Sequence, residues 1–170
     1  MPAKEKETVR TKSASKSTKP LELSITRTFI APRELVYKCF TEPEHVMKWG
    51  GPRSFVMQNF TQDVRVGGKW RGMLHSTTGK KDLWQGGTFL EIDPPKHVSY
   101  TFAWDDDNGN PGNETIVVID LEEVAGFTKL TFKQSGFPTE GERDGHVVGW
   151  GEALDKFAEY FALVSRGGAR

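Results

Sequence analysis

The sequence predicts an α+β fold: seven antiparallel strands in one curved sheet around a long C-terminal helix, with two short helices between the first and second strands. Three observations carry this. One long stretch, Asp144 to Val164, has a helical period: Val147, Trp150, Leu154, Phe157, Phe161 and Val164 recur at steps of three and four. From Ser54 onward, six apolar runs follow one another through turn signals with no helix between them. Connections that short require antiparallel pairing. A helix with one apolar face must be covered, and a curved sheet gripping it is the economical solution.

The elements can be taken in order. Residues 1–20 are rich in Lys, Ser and Thr and almost free of apolar side chains, so they are expected to form a disordered basic tail. Leu21, Leu23 and Ile25 alternate as a strand that runs on past Phe29 to Ala31. Pro32 suits the first turn of a helix whose inner face is Leu35, Val36, Cys39 and Phe40. A second short helix follows from Pro43 to about Lys48, with Val46 and Met47 expected inward, and Trp49-Gly50-Gly51-Pro52 breaks the chain. Strands are expected at Phe55–Val64, Gly68–Ser76 and Leu83–Ile92. A fifth runs through Val98, Tyr100, Phe102 and Trp104 with strict period-two alternation, and the last two span Thr115–Val124 and Phe127–Gln134. Asp93-Pro94-Pro95 and the run Asp105 to Gly112 are stop and loop signals. In the final helix Asp144 is the expected N-cap and Gly167-Gly168 the expected end. At roughly 20 residues it forms a rod of about 30 Å. The domain is thus expected over 21–165, with a disordered C-terminus at 166–170.

Composition narrows the function classes. The chain has 170 residues and no formal net charge, but the tail carries a net +4 and the rest a net −4. A net negative body argues against nucleic acid as a partner. Cys39 is the single cysteine, so no intramolecular disulfide forms. No apolar run is long enough for a signal segment or a membrane span, and a cytoplasmic setting is the default expectation. His45, His75, His97 and His146 show no ligand spacing, so neither a metal nor a cofactor is expected. Gly67-Gly68 and Gly86-Gly87 lack the context of phosphate loops and are expected to mark bulges or bends.

Particular residues also carry a resemblance. They are Arg27 to Pro32 (RTFIAP), Val36, Phe40, Pro43, Trp49 to Pro52, Asp63, Gly67 to Arg71 (GGKWR) and Gly87. The set continues with Glu91 to Pro95 (EIDPP), Gly136 to Pro138, His146, Gly149-Trp150 and Leu154. Their order and spacing resemble the SRPBCC (START-like) superfamily. Within it, they resemble the homologues of the C-terminal domain of the activator of heat shock protein 90 ATPase. The resemblance covers about residues 22–164. It implies a helix-grip fold with a deep cavity, which in the wider superfamily binds lipids, hormones or polyketides and in some branches performs cyclisation. Members often carry a histidine before the Ser-Gly-Phe stretch. Here that position is Gln134, which speaks against proton transfer there.

The candidate site follows from the same residues. Gly145, Gly149 and Gly151 surround His146 and Trp150 at the start of the long helix, although glycine weakens a helix interior. A cavity beside the helix and close packing against the sheet both account for them. His146 is the one candidate for acid–base work, with Asp63 and Glu91 as supporting carboxylates; a histidine held by a backbone carbonyl is the simpler reading. Arg71 reads as a salt-bridge residue on a sheet face. The expected ligand-binding wall is Trp49, Phe55, Trp70, Trp84, Phe102, Trp104 and Trp150, with polar contacts from His146 and Gln134; packing alone also explains most of the tryptophans. Three functions remain open: binding of a hydrophobic small molecule, an enzyme of the cyclase, dehydratase or hydrolase kind, or a chaperone-associated interaction or stress-response domain. A homodimer is compatible with each.

Overall fold

In the computed structural model, residues 21–168 are described. The tail expected at residues 1–20 lies outside them, as do residues 169–170. The chain runs β1 (Leu21–Phe29), α1 (Arg33–Thr41), α2 (Pro43–Trp49), β2 (Phe55–Gln62), β3 (Lys69–Ser76), β4 (Leu83–Asp93), β5 (His97–Trp104), β6 (Thr115–Val124), β7 (Phe127–Phe137) and α3 (Glu140–Gly168). The seven strands form one antiparallel sheet in the order β1-β7-β6-β5-β4-β3-β2. The first and second strands therefore stand at opposite edges, and α1 and α2 make the crossing between them. This is the expected helix-grip arrangement.

The long helix starts earlier than its apolar pattern suggests. Thr139, not Asp144, caps it: the Thr139 hydroxyl accepts the backbone N–H of Glu142 at 3.1 Å. Thr139 and Glu142 stand at the spacing of a capping box. Asp144 lies inside the helix and pairs with Arg143 at 3.1 Å. At the other end the helix includes Gly167 and Gly168, so residues 166–168 continue it. The inward face is also rotated at its start. Val147 is 41% exposed, and His146, Gly149 and Trp150 face the interior in its place.

Farther along, α3 packs solidly. Leu154, Phe157 and Phe161 are buried, as is Ala153. The Phe157 ring lies 5.0 Å from Phe29, 4.9 Å from Phe40 and 5.0 Å from Trp49. One side chain thus joins β1, α1, α2 and α3. The Trp49 indole N–H donates to the Cys39 carbonyl at 2.9 Å and fixes α2 against α1. Met47, expected inward, is 38% exposed, because Val46 and Trp49 already hold the inner face of a helix only seven residues long.

Two backbone details shape the sheet. The β2–β3 pairing shifts register between Gln58 and Thr61, where Asn59 takes a positive φ of 50°, and this bulge bends the edge strand. In β4, Gly87 clears a path for Trp70. A Cβ there would stand 1.7 Å from the Thr101 carbonyl oxygen and 2.6 Å from the Trp70 indole nitrogen, which donates to that carbonyl at 3.0 Å. The indole thus crosses a whole strand. Gly67-Gly68 instead occupies the β2–β3 turn, where a Cβ on Gly68 would stand 1.9 Å from the Asp63 carbonyl oxygen. The alternation expected in β5 is masked, because Ser99, Thr101 and Ala103 on its other face are buried too.

Phe157→Ala is expected to cost about 3–5 kcal/mol, the range for a large aromatic lost from a closed core, as measured by urea denaturation. His97 offers a pH test. Its ring is 2.6 Å from Asp120 and 3.3 Å from Glu91, and the hydrogen bond to Asp120, with help from Glu91, raises its pKa above the ordinary 6.5. The stabilisation is therefore complete below 6.5 and is lost as pH rises through the higher folded-state value. Denaturation midpoints of the native chain should fall across that window relative to those of His97→Gln.

Candidate functional site

The inner face of β2 to β5 is not filled by α3. A cavity of about 350 Å³ remains between that part of the sheet, α2 and the first half of α3. Period two decides which strand residues reach it. Trp70 and Leu74 do so from β3, Leu83, Gln85 and Phe89 from β4, and Val98, Tyr100, Phe102 and Trp104 from β5. Gly50 to Pro52 and Phe55 form one lip, and Glu142, Gly145, His146 and Gly149 the other. Leu83, Glu142 and Gly145 are exposed, so the opening lies between the start of β4 and the start of α3.

The rings around this space are held by hydrogen bonds as well as packing. Trp104 donates its indole N–H to His146 Nε2 at 2.9 Å, and His146 Nδ1 lies 2.7 Å from the Glu142 carbonyl oxygen. An indole only donates and a carbonyl only accepts, so His146 carries its proton on Nδ1 and is neutral. Trp150 donates to Gln134 Oε1 at 2.7 Å. The Gln134 amide then donates to the Thr115 hydroxyl at 2.8 Å, and that hydroxyl donates to the Phe102 carbonyl at 3.0 Å. The Trp150 ring rests 4.4 Å from Phe132.

The lip at Gly50 to Phe55 is tied to the helix. Lys156 donates to the carbonyls of Gly50, Gly51 and Phe55 at 3.1–3.3 Å, and burial holds its pKa below the ordinary lysine value. Gly51 has a positive φ of 84°, and a Cβ there would stand 2.6 Å from the Leu74 side chain.

The family model described as Activator of Hsp90 ATPase homolog 1-like protein matches residues 30–162. The chain belongs to this family. As a member of the SRPBCC superfamily it shares its architecture with solved structures from several bacteria. A protein from Chromobacterium violaceum is 28% identical, with a TM-score of 0.75 over 81% of this chain and 94% of its own. The AHSA1 protein from Silicibacter pomeroyi is 23% identical, with a TM-score of 0.76 over 84% and 99%. A protein from Arthrobacter aurescens is also 23% identical, with a TM-score of 0.77 over 87% and 90%. None of the curated proteins matches. Among the described residues, no helix is long and apolar enough to cross a membrane.

Of the residues singled out from sequence, Trp49, Phe55, Trp70, Phe102, Trp104, His146 and Trp150 line the cavity of this family member. Trp84 does not. It pairs with Met73 on the opposite sheet face, where the Arg71 guanidinium lies 5.0 Å from its ring centre. Gln134 is fully buried behind the wall, its amide spent on Trp150 and Thr115. Asp63 pairs with Arg65 at 2.6 Å in an exposed turn, and Glu91 with His97 and Ser99. Neither carboxylate lines the cavity. Arg71 forms a two-pronged salt bridge to Asp105, one bond of 2.7 Å. The sequence reading missed Gln62, Gln85, Phe89 and Tyr100, although the positions of Leu83, Gly87 and Phe89 place Gln85, not Trp84, on the inner parity of β4.

The helix glycines divide by role. A Cβ at Gly149 would stand 3.5 Å from the Pro52 ring, whereas one at Gly145 or Gly151 would meet nothing within 4 Å. Gly151→Ala should therefore gain about 0.5–1 kcal/mol of helix stability and raise the melting temperature by about 1–4 °C, read by calorimetry.

Proposed function

We propose that this protein binds a small hydrophobic molecule, aromatic or lipid-like, in the space between sheet and helix. The observation that carries the reading is the wall. It offers a volume near the lower end of the roughly 300–1,000 Å³ usual for small-molecule sites. Its four tryptophans have their indole N–H groups already engaged by the protein. An apolar guest therefore displaces water without taking a partner from any indole.

The enzyme reading lacks support from its named groups. Both His146 nitrogens are occupied, and Asp63 and Glu91 lie away from the cavity. A chaperone contact rests on the family description alone.

Native mass spectrometry of the protein after incubation with cell extract should show a bound small molecule. Tryptophan emission should shift with members of a lipid and aromatic panel. Absence of both overturns the proposal. Trp150→Ala should weaken binding of the responding compound more than Phe157→Leu does. It should also cost less stability than Phe157→Ala, since the volume it vacates joins an existing space.

A further inference from the structure

The polar groups left unengaged around the cavity specify its guest more narrowly. Trp49, Trp70, Trp104 and Trp150 have all given their N–H to protein acceptors, and His146 has used both ring nitrogens. Gln62 has not: its side-chain nitrogen is shut away from solvent without a hydrogen-bond partner. Tyr100 projects from the neighbouring wall. Its ring lies 5.4 Å from Trp70 and 5.8 Å from Phe89, and burial holds its hydroxyl well above the ordinary phenol pKa, so it is a neutral donor. Gln85 is buried, and its nitrogen reaches only the Met57 sulfur at 3.7 Å, a weak acceptor.

All three groups are uncharged. Among the described residues, the one charged side chain lining the space is Glu142, which stands exposed at the rim. The Lys156 ammonium is committed to three backbone carbonyls of the lip. A buried carboxylate or ammonium would find no counter-charge, at a cost far above that of a neutral oxygen. Gln62 and Tyr100 stand on strands three steps apart, roughly 14 Å across the backbone. The wall beside Tyr100 is aromatic, with Trp70 and Phe89 against its ring, and suits a compact ring system.

Resting on the binding function proposed above, we infer that the cavity selects an uncharged ring compound whose carbonyl or hydroxyl oxygen is held by Tyr100 and Gln62. It discriminates against the corresponding carboxylate. Isothermal titration of the full chain with naphthalene, 2-naphthol, 2-acetylnaphthalene and 2-naphthoate tests this. The two neutral oxygenated probes should bind about tenfold more tightly than naphthalene, the value of one buried hydrogen bond, and 2-naphthoate more weakly than naphthalene. In Tyr100→Phe and Gln62→Met the oxygenated probes should fall toward the naphthalene affinity, while naphthalene itself changes little. Unchanged thermal melts will show that both variants fold.

The inference is overturned if 2-naphthoate binds as tightly as 2-naphthol. It is equally overturned if the oxygenated probes keep their advantage in the Tyr100→Phe, Gln62→Met double variant. Binding of naphthalene with no gain from oxygen removes this inference and leaves the proposed function standing. Failure of all four probes removes both.

Discussion

A single helix cannot cover seven strands. An α-helix with its side chains is about 10–12 Å across, and seven strands at about 4.8 Å spacing make a sheet nearly three times as wide. The structure settles this mismatch asymmetrically. The helix α3 lies against β1 and β7, and α2 lies against β2. The inner faces of β3, β4 and β5 are left without a helix directly upon them. Curvature brings these strands over the gap, and the enclosed remainder is the cavity. Its position is therefore a consequence of which edge the helix chose, and that choice is made by Phe157 wedged among Phe29, Phe40 and Trp49.

At its first half the helix is held differently. Besides packed rings, two indole hydrogen bonds, Trp104 to His146 and Trp150 to Gln134, span from one side to the other. Such bonds set a separation without filling the volume behind them. They also orient the rings, so apolar faces rather than N–H groups look into the open space. A buried polar bond of this kind contributes little net stability, about 1 kcal/mol, but leaving either partner unpaired costs more. This favours one arrangement of the wall over its neighbours.

Much of the fold was legible because the signals were local. The period of Leu154, Phe157 and Phe161, the turn residues from Asp105 to Gly112 and the alternation of β6 each need only a few neighbours to read. The misplacements arose where a distant partner decides. Val147 fits the helical stripe, yet the stripe turns by one position because His146 meets Trp104, 42 residues away. Trp84 has the size and polarity of a wall residue, but strand parity sends it outward to meet Arg71. Gln62 carried no signal, and Tyr100 carried only its place in the alternation of β5. A glutamine on an edge strand and a tyrosine among apolar neighbours look ordinary until the bonds of every other polar group have been counted.

The Lys156 staple has a mechanical consequence. Raising the Gly50 to Phe55 lip would strip a half-buried ammonium of three acceptors at once, so that lip and α3 behave as one rigid jaw. The exposed Leu83 at the start of β4 stands on the rim away from this staple. A guest of the kind proposed would therefore meet a fixed edge at the Gly50 to Phe55 lip, and the side open to it is the one at Leu83 and the start of α3.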